Sequence, residues 1–328
     1  MNSKESLGVL KDAITDVPGI KVGHCQDLKA GTGCTVVICE KGAAAGVEVR
    51  GGAPGTRETD LLNPVNLVDK VYAIYLSGGS AFGLDGASGV MKCLEEKGLG
   101  WETGIAKVPI VPAAVLFDLE VGDCRIRPDA RMGYEACLGA NEEEARQGNI
   151  GAGTGATVGK ILGIEQSMKS GLGTASFRSR PLIVGALVAV NCLGDVTEPE
   201  SGKIIAGALS KNKKDFVNTM SLLKSLPLDL KVNFAPNTTL GVVATNAKLS
   251  KSGATKVAMM AQNGYARTIN PAHTRFDGDT IFCMATGEVE VEISIVGAIA
   301  AEVMARAIVK AIKNTESLFG LKSYKDLI

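Results

Sequence analysis

A stretch late in the chain joins a polar turn directly to a run of apolar, β-prone residues, Ala235-Pro-Asn-Thr-Thr-Leu-Gly-Val-Val-Ala-Thr245. If the bond between Asn237 and Thr238 were cut, Thr238 would become a chain end. Its α-amine, with a reference pKa of about 8, would then be able to take the proton from its own hydroxyl. The stretch therefore predicts an N-terminal threonine nucleophile that the chain frees by cutting itself. The competing interpretation is a turn that enters a strand, because Asn and Thr are common at such junctions.

An acidic pair, Asp277-Gly-Asp279, follows further along the chain and precedes another β-prone run. One interpretation is a tight turn that starts a strand, since Asp-Gly is a strong turn signal. The other is that one or both carboxylates orient the nucleophile, because a catalytic hydroxyl and its base need a third group to hold them. The residues alone leave both interpretations open.

A glycine-rich segment before Lys160 invites a nucleotide-binding interpretation. Gly151-x-Gly153-x-x-Ala156 matches a loose dinucleotide fingerprint, and Gly159-Lys160 resembles the end of a phosphate-binding P-loop. However, Ile161 stands where a P-loop has Ser or Thr, and Thr154 stands where its first glycine belongs. A charged helix candidate, rather than a strand, precedes the segment. We therefore interpret it as main chain that crowds a site, with Lys160 projecting into that site.

Asn191 directly follows a nearly continuous apolar strand candidate at 183–190. Polar side chains at strand ends commonly form sites, so its amide is a candidate site group. The alternative is an asparagine that only makes the turn.

Ser80 lies between a strand and a helix, in Gly78-Gly-Ser-Ala-Phe-Gly83, which invites comparison with the nucleophile elbow of serine hydrolases. The elbow needs Gly-x-Ser-x-Gly, and Phe82 occupies the position of its second glycine. His24 and His273 are the only histidines that could serve as its base. We interpret the segment as a turn that packs the start of a helix closely against a sheet.

These residues lie on a chain whose periodicity alternates between strand and helix patterns. Short apolar or β-branched runs predict strands at 35–39, 46–50, 71–76, 110–119, 183–190 and 240–245. Longer periodic segments predict helices at 84–97, 130–147, 248–265 and 293–312. The Lys-, Ser- and Asn-rich segment 197–230 is interpreted as a surface excursion with one short helix, within a single domain of residues 1–328. The order of elements is typical of the α/β class.

Composition narrows the functional classes. The chain has 328 residues, of which 45% are hydrophobic and 21% charged, as is ordinary for a globular protein. Lys+Arg and Asp+Glu number 35 each, so no excess of basic residues points to nucleic acid or a membrane surface, and small neutral substrates fit better. The helix candidate 293–312 is interrupted by Glu302, Arg306 and Lys310, which argues against a membrane span. No apolar leader precedes the first charged residues, so we expect a cytoplasmic protein.

Eight cysteines are dispersed through apolar segments without any Cys-x-x-Cys pair. We expect reduced thiols in the core rather than disulfides. Since the chain has only two histidines and poor ligand spacing, we expect no zinc site, and we expect no cofactor.

Six motifs span nearly the full length of the chain: Asp16-Val-Pro-Gly-Ile-Lys-Val-Gly-His24, Gly52-Ala-Pro-Gly-Thr-Arg-Glu-Thr-Asp60, Leu76-Ser-Gly-Gly-Ser-Ala-Phe-Gly-Leu84, Gly153-Thr-Gly-Ala-Thr-Val-Gly-Lys160, Asn237-Thr-Thr-Leu-Gly-Val-Val-Ala-Thr-Asn246 and Asp277-Gly-Asp-Thr-Ile-Phe282. In this order they make the chain resemble the L-aminopeptidase/D-esterase family, peptidase family S58, which includes β-aminopeptidases and nylon-oligomer hydrolases. Six ordered motifs are far more specific than any one of them. The residues around the cut resemble the nylon-oligomer branch, whereas several aminopeptidase members have Ser after Gly or Ala.

The resemblance implies a proenzyme that cuts itself into a large α chain, 1–237, and a small β chain, 238–328. The implied fold is a four-layer αββα sandwich of the N-terminal-nucleophile-hydrolase type. The implied assembly is a homotetramer of αβ heterodimers.

The resemblance also implies a set of site residues. Thr238 would be the nucleophile, Asn237 the new end of the large chain, and the acidic pair its support. The remaining positions that match the family's catalytic centre are Lys160, Asn191 and Tyr134. Asn191 and Tyr134 are able to donate hydrogen bonds to a tetrahedral oxyanion. Lys160 is able to favour deprotonation of the hydroxyl or to stabilise negative charge.

The expected function is an autoprocessing amide hydrolase that forms an acyl-enzyme on short peptides or amino-acid amides. The nearest variant is a hydrolase of ω-amino-acid oligomers of the nylon type. A different class is an acyltransferase related to the ornithine acetyltransferases, and a third is a scaffold protein without activity. Asp118 and Glu120 are candidates for holding the free amine of an aminopeptidase substrate.

Overall fold

The computed structural model of the protein describes residues 10–227 and 236–328. Within these ranges, the α-helices are α1 (Gly86–Glu96), α2 (Ala130–Leu138), α3 (Thr219–Ser225), α4 (Lys251–Thr268) and α5 (Ile293–Lys313). The strands are β1 (Ile20–Asp27), β2 (Thr32–Val49), β3 (Gly55–Arg57), β4 (Lys70–Ser77), β5 (Trp101–Glu102), β6 (Lys107–Val108), β7 (Ala113–Val115), β8 (Thr157–Val158), β9 (Met168–Lys169), β10 (Leu172–Ser179), β11 (Leu182–Ala189), β12 (Asp195–Thr197), β13 (Ile204–Ala206), β14 (Leu240–Ala247), β15 (Ile269–Asn270) and β16 (Thr280–Val289).

The long strand β2 connects the two halves of the main sheet. The strand order is β10-β11-β14-β16-β2-β4-β7-β3, and β1 also pairs with β2. The first part of β2 pairs with β1, its last part pairs with β16, and β4 pairs with residues of both parts. A register irregularity between Ile38 and Ala43 separates the two parts. The pairs β14–β16 and β4–β7 are parallel, and the other pairs along this path are antiparallel.

Three hydrophobic clusters show how the two halves are stacked. One cluster lies between α4, α5 and strands β10, β11, β14 and β16, and includes Val257, Ile308 and Val243. A second lies between the two sheet halves, where Ile74 of β4 and Leu240 of β14 belong to the same core. A third lies between α1, α2 and the other face of β2 and β4. Since a cluster forms where two layers meet, this order of helices, sheet, sheet and helices is the four-layer αββα sandwich predicted above.

Strand β14 illustrates why the sequence forms this architecture. Its residues are all buried, as expected for a strand with another layer on each face. Leu240 and Val242 point into the core between the sheets, whereas Val243 packs toward α4 and α5. The period-2 alternation of a strand therefore serves two cores at once.

Several predicted boundaries differ from the observed elements. The helix predicted at 130–147 ends at Leu138, because the chain leaves the helix at Gly139 and enters turns. The strand predicted at 110–119 is confined to Ala113–Val115, since Pro109 and Pro112 cannot donate to a ladder. The strands predicted at 35–39 and 46–50 are both parts of β2. The register irregularity lies between them, so the sequence pattern is interrupted there although the strand continues.

The described part of the predicted surface excursion, 197–227, contains β13 and α3. It is not all surface, because Ile205, Ala206 and Leu209 are buried in the cluster under α4 and α5. Residues 228–230 lie outside the described residues. All eight cysteines are free thiols, and Cys124 is exposed rather than in the core. In the described ranges, no helix combines the length and apolar character that crossing a membrane requires.

Candidate active site

Thr238 lies two residues before β14 and is only 4% exposed. Its main-chain N–H donates a hydrogen bond to the carbonyl oxygen of Asn191 at 2.9 Å. Its hydroxyl donates to the carbonyl oxygen of Asn237, the residue joined to it by the peptide bond predicted to be cut. The predicted nucleophile is therefore in contact with the carbonyl group that it has to attack.

The same carbonyl of Asn237 accepts a second hydrogen bond, from the main-chain N–H of Gly278 at 2.7 Å. If the Thr238 hydroxyl attacks this carbonyl, the negative charge develops on an oxygen that already has a donor in place. A fixed donor aimed at a developing oxyanion is commonly worth about 10²–10³ in rate. Sequence reasoning did not identify Gly278 as a site residue, and its position between two acidic site candidates is the only signal that marks it.

The lack of a side chain at Gly278 matters here. A Cβ atom at this position would lie 2.6 Å from Thr238 Oγ1 and 2.8 Å from the carbonyl oxygen of Ala53. The closeness of both contacts leaves no room for a methyl group without moving the Thr238 hydroxyl or the 52–54 loop.

Gly278→Ala is therefore expected to stop self-cleavage or slow it at least about 10-fold, since a displacement of about 1 Å at a reacting group can cost about 10² in rate. Denaturing electrophoresis over time measures the fraction of cut chain. Gly139→Ala is the control, because a Cβ there meets nothing closer than 3.4 Å. Cleavage of Gly278→Ala at the rate of the unmodified protein would contradict this geometry.

The acidic pair lies on the turn that places Gly278. Asp277 is buried, and its Oδ2 accepts hydrogen bonds from the main-chain N–H of Thr274 at 2.8 Å and from the Thr274 hydroxyl. Its Oδ1 accepts a long hydrogen bond from the N–H of Leu193 at 3.4 Å. Burial, and then the negative charge of Asp279, raise the pKa of Asp277 to about 6.

Asp279 contacts the residue that follows Thr238. Its Oδ1 accepts the main-chain N–H of Thr239 at 2.8 Å. Its Oδ2 accepts both the main-chain N–H and the ring Nδ1 of His273, at 3.0 and 2.9 Å. The interpretation of the pair as a turn that leads into β16 is confirmed. Asp279 also contacts the residue after Thr238, and the orientation of a nucleophile by these carboxylates stays a prediction.

A second glycine loop, 51–55, holds this acidic turn in place. The N–H groups of Arg50 and Ala53 donate to the carbonyls of Asp279 and Asp277, both at 2.9 Å. A Cβ at Gly51 would lie 2.2 Å from the Asp277 carbonyl oxygen, so only glycine permits this approach.

Lys160 is buried close to Thr238. Its Nζ donates to Asn191 Oδ1 at 2.9 Å and to the Asn191 carbonyl oxygen at 3.3 Å, the same oxygen that accepts the N–H of Thr238. Burial lowers the pKa of Lys160 to about 8, against the opposing influence of nearby acidic groups that include Asp277. An amine that gains and loses its proton near neutral pH is suited to acid–base work.

Asn191 connects the parts of this cluster. Its side-chain Oδ1 accepts hydrogen bonds from Lys160 and from the N–H of Thr157, the latter at 3.0 Å. Its Nδ2 donates to the carbonyl oxygen of Phe117 at 2.9 Å. An amide nitrogen carries two hydrogens, so Asn191 retains the capacity for the oxyanion donation that the sequence predicted.

The structure does not bring Tyr134 into this cluster. The residue lies on α2 in the outer helical layer, where its hydroxyl donates to Glu96 Oε2 at 2.7 Å and Lys92 Nζ lies 5.7 Å from its ring centre. The placement of Tyr134 in the catalytic centre is therefore corrected: the resemblance to the family marked the residue, but α2 packs it against α1.

Asp118, one candidate for holding a substrate amine, has both oxygens occupied. Oδ1 accepts the N–H of Gly79 at 2.7 Å, and Oδ2 accepts the Thr32 hydroxyl at 2.8 Å. Burial raises the pKa of Asp118 to about 6. The residue therefore fixes the turn at Gly78 and Gly79, whereas Glu120 is exposed.

The geometry supports neither a serine nucleophile at Ser80 nor nucleotide binding by the glycine segment before Lys160. Among the described contacts, the imidazole of His24 bonds Thr35 and that of His273 bonds Asp279, so neither provides a base for Ser80. In the segment before Lys160, Cβ atoms at Gly153 and Gly155 would lie 2.2 and 2.1 Å from main-chain atoms of this chain. These glycines serve close main-chain packing, as predicted, rather than phosphate binding.

The chain is similar to known proteins over most of its length. The profile of Peptidase family S58 matches residues 12–325. An uncharacterized aminopeptidase of Mycobacterium leprae is 43% identical over 351 residues, covering 95% of this chain and 93% of that protein. A 6-aminohexanoate-oligomer endohydrolase of Kocuria sp. is 31% identical over 316 residues, covering 91% of this chain and 85% of that protein.

Solved structures agree with the four-layer fold. The L-aminopeptidase D-Ala-esterase/amidase of Ochrobactrum anthropi, described as a variant of the Ntn hydrolase fold, has a TM-score of 0.73 at 17% identity, covering 97% of this chain and 92% of that chain. A β-aminopeptidase of Burkholderia sp. has a TM-score of 0.70 at 22% identity, covering 98% of this chain and 94% of that chain. The resemblance drawn from the sequence motifs is confirmed. The chain belongs to peptidase family S58 and is a hydrolase that acts on peptide or amide bonds.

Proposed function

We propose that the protein cuts its own Asn237–Thr238 bond and then uses Thr238 as an N-terminal nucleophile against short peptides or amino-acid amides. The observation that carries this proposal is the contact between the Thr238 hydroxyl and the Asn237 carbonyl, whose oxygen also accepts the N–H of Gly278. Nucleophile, electrophile and oxyanion donor are thus adjacent in the continuous chain.

Self-cleavage follows from these positions. The Thr238 oxygen attacks the Asn237 carbonyl carbon, and the negative charge on the carbonyl oxygen is stabilised by the Gly278 N–H. The C–N bond then breaks, and the proton of the hydroxyl passes to the departing nitrogen of Thr238. Lys160 is suited to relay this proton, because its Nζ and the Thr238 nitrogen contact the same carbonyl oxygen. Water hydrolyses the resulting ester to an Asn237 carboxylate and a free Thr238 hydroxyl.

Turnover of substrate repeats the same chemistry with the freed amine. The α-amine of Thr238 takes the proton from the hydroxyl, which attacks the substrate carbonyl at the position vacated by Asn237. The positive charge of Lys160 beside this amine favours its neutral, basic form. The proton then passes to the departing amine of the substrate, and water releases the acid from the acyl-enzyme.

The favoured substrates are short peptides or amino-acid amides, on the basis of the aminopeptidase relatives. A specific observation also favours the second candidate, linear ω-amino-acid oligomers: a relative named 6-aminohexanoate-oligomer endohydrolase aligns over 91% of this chain. Both candidates use the same acyl-enzyme, so they differ in the shape of the acyl group rather than in chemistry.

The experiment that tests the proposal is a panel of aminoacyl p-nitroanilides, dipeptides and 6-aminohexanoate oligomers, assayed with and without an added amine such as hydroxylamine. We expect release of free acid in its absence. If product forms only when the added amine is present, the protein is an acyltransferase and the hydrolase proposal fails. If no member of the panel is processed by fully cut protein, the proposed substrate classes are wrong.

The two shifted pKa values predict a bell-shaped pH profile. Since its pKa is raised to about 6, Asp277 is protonated below that pH, whereas Lys160, with a pKa lowered to about 8, is protonated below about 8. The form with ionised Asp277 and charged Lys160 therefore prevails between these values, and kcat/KM is expected to fall on either side. In Lys160→Arg, which keeps its charge, any residual activity should lose the alkaline limb. An alkaline limb that persists unchanged in this variant would show that it belongs to another group.

A further inference from the structure

His273 lies in the loop between β15 and β16, six residues before Asp279. Its main-chain N–H and its ring Nδ1 both contact the same oxygen, Asp279 Oδ2, at 3.0 and 2.9 Å. An ionised carboxylate only accepts hydrogen bonds, so Nδ1 carries the hydrogen and donates it. Asp279 is thereby held from one side by two donors of a single residue.

We propose that His273 is a positioning residue for the nucleophile, which it fixes through Asp279 and the main-chain N–H of Thr239. The inference rests on the proposed function, because it concerns the chain end that self-cleavage creates. His273 does not touch the reacting atoms. It acts through Asp279 Oδ1, which accepts the Thr239 N–H at 2.8 Å.

The contact between His273 and Asp279 becomes important when the chain is cut. Until then, Thr238 is held covalently on both sides, and afterwards only on the side of Thr239. The main-chain contacts that remain are Thr238 N–H to Asn191, Thr239 N–H to Asp279 and Thr280 N–H to the Thr239 carbonyl. Of these, the contact with Asp279 depends on a side chain that can rotate. Two donors from His273 on the other oxygen prevent that rotation.

The local structure is built around this contact. His273 has a φ of +57°, a left-handed conformation that non-glycine residues rarely adopt and that brings its main-chain N–H and its ring to one oxygen. The ring stacks on Tyr265, with centres 6.0 Å apart and planes inclined by 26°. Tyr265 is fully buried, and its hydroxyl donates to the carbonyl oxygen of Thr280 at 3.4 Å. The imidazole is thus wedged between α4 and the acidic turn.

The test compares His273→Asn with His273→Gly in the full-length, cut protein. Both residues tolerate a positive φ, so the backbone conformation is matched. Asn Nδ2 can occupy the place of the imidazole Nδ1 and donate to Asp279, whereas Gly has no side-chain donor. We expect His273→Gly to lower kcat about 10–100-fold with KM changed less than about twofold, since a misplaced nucleophile slows chemistry rather than binding. We expect His273→Asn to restore most of the loss.

The rescue separates positioning from mere stability. If both variants lose kcat equally, or if His273→Gly turns over as the unmodified protein does, the inference is overturned. If His273→Gly does not fold, His273→Gln replaces it, because the side-chain amide of Gln reaches the position of the imidazole Nε2 rather than Nδ1. His273→Gln must then show the lowered kcat, and His273→Asn must again restore most of it. Thr238→Ala, measured in parallel, tests the proposed function itself: activity in that variant would refute the nucleophile, whereas an inactive Thr238→Ala beside a fully active His273→Gly would refute only the role of His273.

Discussion

Thr238→Ala is expected to remain a single chain of 34.0 kDa and to show no turnover of any amide substrate. Both losses have the same cause, because the variant lacks the oxygen that attacks the Asn237 carbonyl and, later, the substrate carbonyl. Removing a catalytic nucleophile of this kind costs about 10⁶ in kcat in a well-studied serine protease. Denaturing electrophoresis measures the cut, and p-nitroaniline release measures the turnover.

Thr238→Ser is the matched variant, since it keeps the hydroxyl and loses only a methyl group. It should still cut itself and turn over substrate, at a reduced rate. If Thr238→Ala were found as two chains, or if it hydrolysed substrate at the rate of the unmodified protein, Thr238 would not be the nucleophile.

Lys160→Met is expected to lower kcat by about 10²–10⁴, the usual contribution of a positioned acid or base. Methionine has a similar length and suits a buried site, so the change removes the amine with little change in packing. In the proposed mechanism this amine relays the proton in self-cleavage and favours the neutral form of the Thr238 α-amine in turnover. Self-cleavage should slow along with turnover, and both are followed in the same samples.

Lys169→Met is the control for that substitution. Lys169 is also fully buried, but its Nζ donates to the carbonyls of Gly153, Ala156 and Ser170 and has no described contact with Thr238. It should lower the melting temperature while leaving kcat of the folded enzyme within about threefold. Equal loss of kcat in the two variants would mean that Lys160 acts through stability rather than chemistry.

The residue types of the site were predictable from sequence, because each stands next to a recognisable local pattern. Thr238 precedes an apolar strand, Asn191 ends one, and Lys160 closes a glycine segment. Sequence reasoning did not predict how they meet. Lys160 and Asn191 are separated by 31 positions, and they meet because the main chain at Lys160 donates a hydrogen bond to the carbonyl of Leu193, just after Asn191.

The missed contributors share a physical feature: they act through the main chain or through a second residue. Gly278 provides an N–H, Phe117 a carbonyl, and His273 a contact with Asp279 rather than with the nucleophile. The type of a residue does not indicate whether its main-chain N–H or carbonyl will take part in a site. The sequence at 268–276 predicts only a loop. Tyr134 shows the reverse error, since the family resemblance placed its side chain in the site, whereas its hydroxyl bonds to Glu96 in the outer helical layer.

The central claim is that one internal peptide bond becomes the chain end that performs catalysis. It is tested most directly by following the mass of the protein and its turnover in the same samples as self-cleavage proceeds. The account predicts a small chain whose first residue is Thr238, with activity that rises in proportion to the cut fraction. A protein that stays one continuous chain, with Asn237 and Thr238 still joined, and nevertheless reaches full turnover would contradict it.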